Sequence, residues 1–249
     1  VQIGAETLFE NVMQVRLFGY REMIGKIGQP IDKTEWGMTP QTVNAYYSPS
    51  RNEIVFPAGI LQPPFYDPNA EDAVNYGGIG AVIGHEFSHG FDDKGSKYDA
   101  KGNLSNWWTE QDRKLFEERT GRIVAQFNGY EVLDGVFING SLTQGENIAD
   151  LAGLTMAYYA YKHANEGKDL SGTIDGFTWQ QRFFLGWATV WSQNISEKEL
   201  RKRIITDSHS PGEYRVRGPL ANMPEFREAW GCQPGQGMVA DESKQVIIW

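Results

Sequence analysis

The run from Gly77 to Asp93, GGIGAVIGHEFSHGFDD, constrains this chain more than any other stretch. Its His85 and His89 are four residues apart, with Glu86 beside the first. Residues at that spacing share one face of a helix, so both imidazoles can hold one metal ion. Zinc suits imidazole nitrogens, and a catalytic zinc keeps one position open for water whose proton a neighbouring carboxylate can take. Val82, Ile83 and Phe87 make the segment apolar, so the histidines are part-buried and need partners. Gly77, Gly78, Gly80 and Gly84 interrupt it, each costing about 1 kcal/mol against alanine inside a helix. Such a cost points to close packing of this helix on a neighbour beneath a cleft.

Two histidines do not complete a catalytic zinc site. The run LTQGENIADLAGL offers the missing ligand in Glu146, with Asp150 one turn later on the same face. Asp150 could accept a hydrogen bond from the free ring nitrogen of a ligand histidine and fix its tautomer. Ala149, Ala152 and Gly153 leave room for another helix to come close. Asp92 and Asp93 are further candidates to orient a ligand, although one of them can instead belong to the Asp93-Lys94-Gly95 turn. A third cluster, DSHSPGEYRVRGPLANMPEF, holds His209 and Arg215 in what reads as a Pro- and Gly-rich loop. A cationic side chain near a zinc site can grip a substrate carbonyl or stabilise a developing oxyanion.

Composition removes other classes. Lys+Arg is 23 and Asp+Glu 32, a net charge of −9 in 249 residues, which argues against a nucleic-acid partner. No apolar run approaches the roughly 18 residues that span a bilayer, and no secretory signal pattern opens the chain. Cys232 is the only cysteine, so there is no internal disulfide. Periodicity predicts helices over residues 6–27, 72–89, 110–128, 145–165, 179–194, 197–206 and 225–230. It predicts a hairpin of strands at 43–47 and 53–56 and an edge strand at 246–248. Thr109 to Asp112 reads as a capping box for the helix at 110.

Together these elements resemble the catalytic half of the neprilysin and endothelin-converting-enzyme family of zinc metallopeptidases. The resemblance is carried by Asn44-Ala45-Tyr46-Tyr47, the run Gly59 to Phe65, His85 to His89, Gly145 to Asp150, and His209 to Gly218, in the family's order and spacing. It implies an α+β, mainly helical, thermolysin-like lobe with a small sheet. It implies one zinc held by His85, His89 and Glu146, Glu86 as general base, and Asp150 orienting a histidine. His209 would stabilise the tetrahedral intermediate and Arg215 would bind a substrate carbonyl. Asn44 and Ala45 would bind the substrate backbone, and Ile60, Phe65, Val82, Val190 and Trp191 would line a pocket for a large hydrophobic side chain after the scissile bond. Arg217 departs from the neutral residue of many relatives and would alter selectivity nearby. The single cysteine favours a bacterial-type relative.

The implied protein is an endopeptidase of short peptides that works outside the cytosol. Residues 1–249 would be its catalytic domain, with residues 1–28 the stump of an upstream helical lobe. A non-catalytic zinc-binding module would carry the same histidines but need no base, and an interaction domain would bind no metal.

Overall fold

The computed structural model describes residues 1–248. It divides into two compact units, one over Val1–Gly37 and one from Met38 onward. The first is a helix, α1 (Leu8–Gly25), with a short extension; the helix carries no buried residue.

The second unit is mainly helical. Its first elements are an antiparallel hairpin of β1 (Tyr46–Ser48) and β2 (Glu53–Val55), in the register Tyr46↔Val55. Next come α2 (Asp72–Asn75), a π-helical turn over Tyr76–Gly80, and α3 (Ala81–Ser88), which carries on into a 3-10 turn at His89–Phe91. The predicted helix over 72–89 is thus one continuous coil with a wide turn in its glycine-rich part. α4 (Glu110–Asn128) is followed by a second hairpin, β3 (Glu131–Leu133) with β4 (Val136–Phe137). Then come α5 (Gln144–Ala164), α6 (Trp179–Val190), α7 (Glu197–Thr206), α8 (Gly212–Leu220) and α9 (Pro224–Trp230).

Three expectations change. The second hairpin was not predicted, although Asp134-Gly135 is a strong turn signal and Gly135 has a φ of +68°. Residues 246–248 form no strand. Val246 instead donates to Asn222 Oδ1 at 3.0 Å, while Val246 and Ile248 pack into the core. At Thr109, Oγ1 accepts from Asp112 N at 3.1 Å, but the complete reciprocal box is at Thr178 and Gln181.

The main core joins Phe127 and Ile123 of α4, Ile148 and Leu154 of α5, and Phe183 and Trp187 of α6. α3 crosses α5 at the closest approach its glycines permit. A Cβ on Gly84 would lie 2.6 Å from the Gly153 carbonyl oxygen, and one on Gly153 would lie 2.3 Å from His85 N. Both distances are well inside van der Waals contact. The glycines are therefore spent on bringing the backbone of α5 against His85.

Candidate metal centre and cleft

The α3–α5 crossing brings Glu146 to the two histidines. His85 Nε2 lies 3.0 Å from His89 Nε2, and Glu146 Oε2 lies 3.3 Å from the first and 3.7 Å from the second. Bonds of about 2.0–2.1 Å at tetrahedral angles put ligand atoms about 3.3 Å apart, close to this triangle. His89 stands one residue past the last α-helical turn, yet its ring still faces that of His85, with the ring centroids 4.6 Å apart.

The outer nitrogens are held by carboxylates. His85 Nδ1 donates to Asp150 Oδ1 at 2.8 Å, and His89 Nδ1 donates to Asp92 Oδ2 at 2.7 Å. Asp92 also closes the following turn, its Oδ1 accepting from Lys94 N at 2.8 Å and Gly95 N at 2.7 Å. Both sequence alternatives for that aspartate pair thus fall on one residue. Asp93 Oδ1 is buried with no hydrogen-bond partner among the described residues. Asp150, 1% exposed, is shared with Arg215, which donates to it through Nε at 2.8 Å and Nη2 at 2.6 Å. The Trp191 ring covers the guanidinium at 3.7 Å.

Burial opposes charge on these groups, and their neighbours decide the outcome. For His85, burial would lower the pKa, but the hydrogen-bonded Asp150 and the nearby Glu146 carboxylate outweigh it and hold the pKa up at about 9. For Glu146, burial would raise the pKa, but His85 and the other histidines hold it far below the usual carboxylate range. Asp150 is lowered against its burial by Arg215. Glu86 goes the other way: burial pushes its carboxyl up, against the pull of His85 and His89.

The residues fit a metal ion. Glu146 Oε2 is buried with no hydrogen-bond partner among the described residues. With both Nδ1 atoms committed to carboxylates, the Nε2 lone pairs and this oxygen converge on one point, where either protons or a cation must sit. Two imidazoles, one carboxylate and an open fourth position are the ligand set of a catalytic zinc site. Glu86 also brings a carboxylate oxygen within 4.8 Å of a ring nitrogen of each histidine.

These groups form the floor of a cleft of about 820 Å³. Asn44, Ala45, Ile60, Phe65, Val82 and Trp191 line it, as do His209 and Arg215. Val190 does not: it is buried in the main core. His209 stands at the rim, its side chain 45% exposed and its Nε2 3.2 Å from Glu146 Oε2. Asp207 Oδ1 accepts from both its Nδ1 at 2.8 Å and its backbone N at 2.9 Å. Asp207 was missed in the sequence, although an Asp two residues before a His can fold back on it as an Asx turn. Arg215 is on α8 rather than in a loop. Arg217 does not line the cleft; it is paired with Glu213 at 2.7 Å and borders a second pocket with Arg122 and Lys244.

A mainly helical lobe with a part-buried His-His-Glu centre under a cleft is the architecture of a zincin-type lobe. The sequence profile of peptidase family M13 matches residues 44–246, and the chain belongs to that family. It is 42% identical to Neprilysin-3 of Drosophila melanogaster over 99% of its length, covering 32% of that protein. It is 45% identical to human Endothelin-converting enzyme 1 over 92% of its length, covering 30% of that protein. The structure of Mycobacterium tuberculosis zinc metalloprotease ZMP1 in complex with inhibitor superposes with a TM-score of 0.94 at 44% identity, over 100% of this chain and 39% of that one. The chain thus spans about a third of the length of these curated relatives.

Proposed function

We propose that this chain is the zinc-bearing lobe of an endopeptidase that cleaves short peptides on the amino side of large hydrophobic residues. The convergence of His85 Nε2, His89 Nε2 and Glu146 Oε2, which has no hydrogen-bond partner among the described residues, beneath a cleft carries this reading. Family membership supports it. A place outside the cytosol belongs to the same reading; no described helix is long and apolar enough to cross a membrane.

His85, His89 and Glu146 hold the metal, and Asp150 and Asp92 keep the two imidazoles in the tautomer that presents Nε2. A zinc ion bound there supplies Lewis-acid activation of water and of the scissile carbonyl. Glu86 takes the proton of the attacking water; in the metal-free chain burial raises its pKa, which makes it a better proton acceptor than an exposed carboxylate. Oxygen adds to the carbonyl carbon, the C–N bond breaks, and Glu86 passes the proton to the departing amine. His209 stabilises the oxyanion of the tetrahedral intermediate, and Arg215 donates to a substrate carbonyl. Nε and Nη2 of Arg215 are committed to Asp150, and Nη1 makes no hydrogen bond among the described residues.

Asn44 and Ala45 precede β1, whose only strand partner among the described residues is β2. Its second edge can take an extended peptide by strand addition. Ile60, Phe65 and Val82 form a small apolar cluster beside the metal centre, which favours a large hydrophobic side chain after the scissile bond.

The test is a quenched fluorescent peptide with Phe or Leu after the scissile bond, assayed with the zinc-loaded chain, a chelator and Glu86→Gln. Chelator-sensitive cleavage at that bond, lost in Glu86→Gln while zinc remains bound, is expected. Cleavage that survives the chelator or the Glu86→Gln substitution would overturn the reading.

A further inference from the structure

We propose that Asn147 and Ser210 are positioning residues that hold His209 over the Glu146 carboxylate. The proposal rests on the reading of His209 given above and adds how that residue keeps its place.

His209 has little to hold it by packing, because almost half of its side chain is exposed. Asp207 fixes its ring, but Asp207 belongs to the same short connection between α7 and α8. It can set the ring's orientation within residues 207–211 and cannot set the position of that segment against the metal centre. Among the described residues, no backbone hydrogen bond ties residues 207–211 to α5. The tie is a side-chain bond: Ser210 Oγ donates to Asn147 Oδ1 at 2.8 Å, with Asn147 1% and Ser210 4% exposed.

Asn147 is itself braced. Its Nδ2 donates to Thr143 Oγ1 at 2.8 Å, and that hydroxyl donates to the Asn139 carbonyl at 3.1 Å. The chain of bonds therefore runs from the start of α5 to the residue after His209. Its place in the sequence is what gives it leverage. Asn147 follows Glu146 on the helix, and Ser210 follows His209 in the connection. Two adjacent couplings, Asn147 to Ser210 and Glu146 to His209, register one segment on the other at successive residues. A buried amide oxygen without its donor is costly, so the pair has one favourable arrangement.

The experiment compares wild type with Ser210→Ala, Ser210→Thr, His209→Ala and the Ser210→Ala/His209→Ala double variant, all in the full chain. In the metal-free proteins, Ser210→Ala should speed amide exchange at residues 207–210 about tenfold, the change expected for one lost hydrogen bond, while α3 and α5 are unaffected. Zinc affinity should stay within about threefold, because none of its ligands is touched. In the zinc-loaded enzyme, kcat should fall about 10–100-fold with KM nearly constant, and Ser210→Thr should restore most of it. In the His209→Ala background, Ser210→Ala should then cost less than about twofold. Unchanged exchange in Ser210→Ala, or losses that multiply in the double variant, would overturn the proposal. The exchange measurement needs no turnover, so it decides the latch even if the chain hydrolyses no peptide.

Discussion

The floor and the rim of the cleft solve the same problem with different physics. At the floor, His85 is 6% and Asp150 1% exposed, and their positions follow from two helices whose backbones touch at Gly84 and Gly153. At the rim, His209 is 45% exposed on its side chain and hangs in a short connection held by single hydrogen bonds. Burial makes each floor interaction strong and each error expensive, because a buried charge that loses its partner stays desolvated. At the rim the fold is little affected by a lost contact, and the cost falls on the placement of His209 instead. A metal needs ligands converging on one point, whereas an oxyanion needs donors already placed where its charge will develop.

Breaking the floor should have the largest effect. Asp150→Ala strips His85 of its acceptor and leaves Arg215 buried and unpaired, so about 3–5 kcal/mol of stability should be lost. Zinc affinity should also fall about 10–100-fold; denaturant melts and zinc titrations check both. Gly84→Ala probes the same region through sterics alone. Its methyl meets the Gly153 backbone, and about 1–3 kcal/mol should be lost by thermal melting, with weaker zinc binding.

pH should separate the two regions. The His85 pKa is raised from 6.5 to about 9, so its contribution to the metal-free fold is complete below about 6.5 and disappears as pH rises through about 9. The metal-free chain should melt lower at pH 9 than at pH 7. Over that window zinc must displace the same proton, so its affinity should rise by up to about tenfold per pH unit. Calorimetry in buffers of different ionisation enthalpy should find proton release. The rim should show the smallest change. Asp207→Asn keeps an acceptor for His209 but removes a charge, so kcat should fall no more than about tenfold, with zinc content and Tm unchanged.

The floor was the more legible region in the sequence. His85 and His89 announce themselves by helical spacing, and Glu146 and Asp150 repeat that spacing 57 and 61 positions beyond His89. The glycines around His85 also pointed to a close neighbour. α8 was hidden, because Pro211, Gly212, Gly218 and Pro219 look like a loop. Pro219 lacks the N–H that would meet the Arg215 carbonyl, and the Trp187 indole N–H takes its place at 3.1 Å. Gly218 is needed because a Cβ there would strike the Phe127 ring at 2.2 Å. Both compensations come from residues distant in sequence, which local propensity cannot see. Val190 failed for the opposite reason: an apolar residue at the end of a helix reads the same whether it lines a cleft or fills a core. The Asn147–Ser210 bond joins residues 63 positions apart and has no local signature.

The division of labour between the two glutamates is the central claim, and zinc titration into the metal-free wild type, Glu146→Gln and Glu86→Gln tests it directly. Both side chains lie close to both histidines, so proximity alone does not assign them. With Glu146 as ligand and Glu86 as base, Glu146→Gln should lose zinc affinity about 100-fold or more, while Glu86→Gln should bind one zinc with affinity close to wild type. The reverse order, with Glu86→Gln losing the metal and Glu146→Gln retaining it, would contradict the account.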